Sequence, residues 1–166
     1  VLILFSGALI AAPDSAHSAV DRVEVQNRSI VADGASFGLV GPYVRLSGRL
    51  HYSVDPTSEF NASIHDLDLA PKDGRGRVTF SGDFVLLMPL NPERGNGRLI
   101  YDVTNRGNMI ALGRFNDSQG RTAAQSSADM GNGFLMEQGY SVLWTGWNWD
   151  VVPGTQTLTI DLPIAT

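Results

Sequence analysis

Three groups of residues have the types that chemistry requires. The first is Gly34-Ala35-Ser36-Phe37-Gly38, which reproduces the G-x-S-x-G pattern of a serine exposed on a sharp strand-to-helix turn. A serine nucleophile needs a base within hydrogen-bond reach and an acid behind that base. Ser36, His65 and either Asp55 or Asp66 supply the types, but the context is wrong. The preceding SIVADGA is too polar near its end for a buried central strand, and only one weak strand comes before it. Gly38 and Gly41-Pro42 stop a helix from starting after it. The stretch reads as a glycine-rich turn leading into YVRLSGRL, with Phe37 packing inward.

The second group is the polar loop Asn105-Arg106-Gly107-Asn108, and the third is Gly146-Trp147-Asn148-Trp149-Asp150. Gly107 admits a positive φ, so backbone N–H groups can turn toward a bound oxygen. The plain alternative is a hydrogen-bonded turn with Arg106 in a salt bridge. Trp144 is expected in the core. Trp147, Asn148 and Trp149 are candidates to line a cleft. His65, Asp66 and Asp68 read as alternating along a strand, which turns His65 away from Asp66, and no third convergent ligand completes a metal site. No metal or cofactor is expected. The chain has no cysteine, which excludes thiol catalysis and thiolate metal sites.

Elements must carry these loops. The 166 residues, 43 % hydrophobic and 17 % charged, suit a globular chain with a core. Residues 20–90 read as short strands: VDRVEVQ, YVRLSGRLHYSV, ASIHDLDLA and GRVTFSGDFVLLMP alternate apolar and polar side chains between Gly, Pro and Asp breaks. His51 and His65 fall in these strands. The pattern then changes. GRLIYDVT and YSVLWTGW read as two buried strands, joined by a crossover from Asn105 to Tyr140 that includes a helix in SSADMGNGFLMEQG. Asp129 is its expected N-cap and Gly139 the residue after its last turn. Strand, helical crossover, strand makes a βαβ unit with parallel strands. In open α/β sheets, ligands bind beyond the carboxyl ends of such strands. Both polar loops follow them.

The formal net charge of −5, without a basic cluster, argues against a nucleic-acid partner. The apolar run Val1–Ala12 is too short to span a bilayer, and no stable membrane insertion is expected. Small residues follow it, and Ala16-His17-Ser18 resembles a signal-peptidase site, so residues 1–18 read as a truncated signal peptide of an exported protein. The N-x-S sequons at Asn27 and Asn61 matter only in a eukaryotic secretory route.

Five motifs in order carry a resemblance: SFGLVGPY, DLDLAP, FVLLMP, NRGN and GNGFLMEQGYSVLWTGW. Together they are similar to the N-terminal part of the bacterial α/β-hydrolase domain-containing proteins. The similarity covers nearly all of residues 20–164. It implies an α/β fold in which a β-rich antiparallel segment, 19–90, leads into the first βαβ unit of a hydrolase sheet, 91–166, incomplete in this chain. It implies a serine hydrolase acting on a small ester or acyl substrate, with serine, acid and histidine beyond Thr166. It places Asn105–Asn108 in the oxyanion-loop position, although the His-Gly-Gly motif of better-known esterases is missing. Trp147, Asn148 and Trp149 would stand beside the cleft. The competing expectation is an exported β-rich module that binds a carbohydrate or small apolar ligand without catalysis.

Overall fold

The computed structural model describes residues 18–119, 123–152, 154 and 156–166. All but the last residue of the expected signal segment lies outside them. The chain forms a mixed α/β structure around one six-stranded, mostly antiparallel sheet. Its elements are β1 (Ser18–Ile30), β2 (Tyr43–Val54), β3 (Val78–Pro89), β4 (Leu99–Val103), α1 (Ala111–Phe115), α2 (Ser127–Met130), α3 (Phe134–Glu137), β5 (Ser141–Thr145) and β6 (Ile160–Asp161). The order across the sheet is β1-β2-β3-β5-β4, with β6 pairing a short stretch of β3. Strands from both 19–90 and 91–166 thus share one hydrogen-bonded sheet.

β1, β2 and β3 form an antiparallel series, as their alternation predicts. β4 and β5 pair in parallel from Leu99↔Ser141 to Val103↔Thr145, which is the expected βαβ unit. β5 inserts between β3 and β4, pairing antiparallel with β3 from Phe84↔Thr145 to Leu87↔Val142. Side chains alternate across the sheet. One face presents Tyr43, Val85, Leu87, Val142 and Trp144 to Leu112, Met130, Leu135 and Met136, and together these form the buried core. Tyr43 fixes the crossover to the sheet, because its hydroxyl donates to the carbonyls of Met136 (3.1 Å) and Tyr140 (3.0 Å). Farther along the same face the strands turn polar. Arg49 pairs with Asp83 at 2.8 Å and also with Asp161. Asp83 in turn accepts from the Thr159 N–H (2.8 Å) and hydroxyl (3.1 Å), which ties the returning chain to β3.

Four expectations need correction. ASIHDLDLA is not a strand. Asp66 takes a left-handed backbone (φ 55°), and a 3-10 turn follows at Leu67–Leu69. Residues 55–77 therefore loop over the second face of the sheet, where they flank an apolar cleft of about 340 Å³ with Val54, Val78 and Phe80. His65, freed from strand alternation, is 95 % exposed, with Nε2 3.6 Å from Asp66 Oδ1 rather than turned away. β4 is not buried. It is an edge strand with Leu99, Tyr101 and Val103 each more than half exposed. Asp129 is not an N-cap. Ser126 caps α2, and Asp129 is its reciprocal partner in a capping box. Gly139 does follow the last turn of α3, at φ 77°. Among the described residues no helix is long and apolar enough to cross a membrane.

Candidate functional site

The carboxyl ends of β4 and β5 bring two of the three sequence-selected groups together and leave the third apart. Ser36 is exposed in a turn closed by a Phe37↔Gly41 bridge. Phe37 packs inward, edge-on to Tyr43 at 5.6 Å. Among the described residues no base attends Ser36: His51 sits between Glu24 (2.9 Å) and Arg22 (2.8 Å), and His65 is beside Asp66. The reading of GASFG as a turn holds. The Asn61 sequon lies in a side chain only 6 % exposed, with Nδ2 donating to the Asp55 carbonyl at 2.8 Å. An amide held in this way is closed to glycan transfer in the folded chain. Asn27, on β1, is exposed.

Asn105-Arg106-Gly107-Asn108 is a tight reversal. The Asn105 N–H donates to the Asn108 carbonyl (3.0 Å), and the Asn108 N–H returns the bond to Asn105 (3.1 Å). Arg106 (φ 49°) and Gly107 (φ 77°) are both left-handed, the signature of a type I′ turn. Glycine takes this conformation freely, whereas arginine is held there at a cost of about 1–3 kcal/mol. The Gly107 carbonyl accepts from the Leu158 N–H at 2.9 Å. A side chain at 107 would approach the Leu158 carbonyl oxygen to 2.6 Å, so the returning chain fits only against glycine. Among the described residues, the N–H groups of Arg106 and Gly107 have no acceptor.

The β5 loop folds against this turn. Arg106 pairs with Asp150 at 3.0 Å, the salt bridge anticipated for a plain turn. The Trp147 indole N–H donates to the Thr104 carbonyl at 2.7 Å, so Trp147 braces the end of β4 while its ring stays half exposed. Trp149 is 73 % exposed, and Trp144 is fully buried as expected. Asn148 turns a buried Oδ1 inward without a partner among the described residues. Asn105, Arg106, Asn108, Asp150, Val152 and Thr157 line a cavity of about 390 Å³ between the loops. It is open, polar at the turn and mixed opposite, where Val151 and Val152 stand beside Asp150 and Thr157. Such a surface can orient a small polar molecule, and among its described lining residues there is no nucleophile–base pair.

Asp102 escaped sequence reasoning. Its Oδ2 accepts from the Ile110 N–H (3.1 Å), the Ala111 N–H (2.8 Å) and the Trp144 indole N–H (2.6 Å). It caps α1 from a strand eight and nine residues upstream. No local capping spacing could have announced this. α1 was missed as well, because five residues give too little periodicity. Comparisons with protein-family models, with curated proteins and with solved structures find no match to this chain. The class defined by fold and site is therefore a mixed α/β sheet with a polar turn at the carboxyl end of its parallel pair.

Proposed function

We propose that this chain is the N-terminal part of an exported serine hydrolase that cleaves a small ester or related acyl substrate, with its serine, acid and histidine supplied downstream of Thr166. One observation carries the reading: a type I′ turn at the carboxyl end of β4, in the βαβ unit, with the Arg106 and Gly107 N–H groups unpaired among the described residues. In an α/β-hydrolase sheet, the loop after the third strand donates one N–H to the oxyanion. The downstream serine attacks the acyl carbon, histidine takes the serine proton and returns it to the leaving group, and the turn steadies the charge on the carbonyl oxygen. The substrate sits in the cavity lined by Asn105, Arg106, Asn108 and Asp150, with Trp147 and Trp149 on the adjoining β5 loop outside that lining.

The test is to express the complete open reading frame and treat it with a p-nitrophenyl ester and a fluorophosphonate probe. Turnover is expected, with the label on a serine in a second G-x-S-x-G between a strand and a helix. Labelling of Ser36, or no turnover and no labelling, refutes the reading. The 73 % exposure of Trp149 favours one second reading, a non-catalytic module that stacks a sugar or apolar ring on tryptophan. That reading requires an isolated chain that melts cooperatively and whose tryptophan fluorescence responds to such ligands. For the export component, N-terminal sequencing of the mature protein should find the apolar leader removed near Ser18.

A further inference from the structure

We propose that Asp102 is the positioning residue of the turn, setting where the Arg106 and Gly107 N–H groups stand. The inference rests on the hydrolase reading only for its catalytic consequence; the positional part stands on geometry. The turn leaves the sheet at Thr104 and rejoins regular structure at Ala111. Thr104 is fixed to β5, its hydroxyl donating to the Thr145 carbonyl at 3.0 Å and its carbonyl accepting from Trp147 at 2.7 Å. At the other end Met109, Ala111 and Leu112 pack into the core, and Asp102 sets the helix start by hydrogen bonds to its first amides. One carboxylate oxygen gathers the first amides of α1 and the indole N–H of Trp144, and so joins β4, β5 and α1 at one point. Charge-assisted bonds of this kind are short and strong. Between the two anchors lie residues 105–110, braced further by the Arg106–Asp150 ion pair and by the Leu158 N–H on the Gly107 carbonyl. Removing the carboxylate loosens the helix start, and the turn shifts with it.

A misplacement of about 1 Å in a catalytic group can cost about 100-fold. The experiment compares D102A and D102N in the complete protein. Asp102→Ala removes every acceptor and is expected to lower kcat about 100-fold, with KM within about twofold, because a donor to the developing oxyanion acts in the transition state. Asp102→Asn is nearly isosteric and keeps one neutral acceptor; its kcat is expected to fall about tenfold, a partial rescue. Should Asp102→Ala not fold, Asp102→Asn decides alone.

A second readout needs no activity. Amide exchange at Asn105 and Asn108, which close the turn, is expected to quicken at least about tenfold in Asp102→Asn, with exchange in β2 and β3 unchanged. Unchanged exchange at the turn refutes the positioning role. A lower melting temperature with kcat per folded molecule unchanged refutes its catalytic consequence. A wild-type protein without ester turnover refutes the hydrolase reading and leaves the exchange result to judge Asp102.

Discussion

Glu24 shows how strongly a single side chain can be held on an open surface. Gln26, His51 and Arg22 all bond its carboxylate and lower its pKa from 4.5 to about 2. A carboxylate whose folded pKa is depressed contributes stability above its unfolded pKa and loses that contribution as pH falls. The contribution of Glu24 should therefore be complete above about pH 4.5 and vanish as pH falls through about 2. Asp55 and Asp73, lowered by bonds from Thr57 and from the Arg77 backbone, act in the same direction. Acid unfolding followed by circular dichroism should show a shallower loss between pH 4.5 and 2 in Glu24→Gln than in wild type; identical acid limbs would contradict this. At Gly107 the backbone decides. Gly107→Ala places a methyl 2.6 Å from the Leu158 oxygen in a left-handed residue. The left-handed backbone alone costs about 1–2 kcal/mol, measurable as a lower urea midpoint. Asn and Gly in NRGN announced this turn in the sequence. Asp102 did not announce itself, because its partners are distant in sequence and an acid within an apolar run looks like any solvated strand charge.

Among the elements, the long strands were legible and the short or irregular ones were not. β2 and β3 were legible from an interrupted period of two; the interruptions fall where both faces are buried, as at Tyr43 and Val44 in β2 and Phe84 and Val85 in β3. ASIHDLDLA alternates as well, yet folds as turns, since nothing in a period of two reveals that Asp66 will turn left-handed. LIYDV looks buried because it is apolar, but burial depends on what covers it, and among the described residues β4 is an edge strand whose Leu99, Tyr101 and Val103 point from an open face. The capping box predicts that Ser126→Ala costs about 1 kcal/mol in urea unfolding, since it leaves the Asp129 N–H without its side-chain acceptor. Gly48 faces the bulge between Val25 and Asn27 in β1, and a methyl there would overlap the Glu24 carbonyl. Gly48→Ala should loosen β1 from β2, seen as faster amide exchange along β1 with β3–β5 exchange unchanged.

At the scale of the whole molecule, the sheet is covered unevenly. The core face carries the helices, while beyond β3 the opposite face leaves Leu99, Tyr101 and Val103 open beside Leu86 and Leu143. An open apolar edge is a template for association. Val103→Lys should reduce concentration-dependent light scattering of this chain and change its stability by no more than about 0.5 kcal/mol; equal scattering would place the association elsewhere. The strand order has a consequence in time. β1, β2 and β3 are neighbours in both chain and sheet, so they can pair as soon as they have been synthesised. β4 emerges next but binds only β5, and β5 must close a loop of more than fifty residues back to β3. Such non-local closure is slow. The turn at the end of β4 is thus assembled late, on a meander already in place, and the part of the molecule that carries the candidate chemistry is the part whose folding must wait.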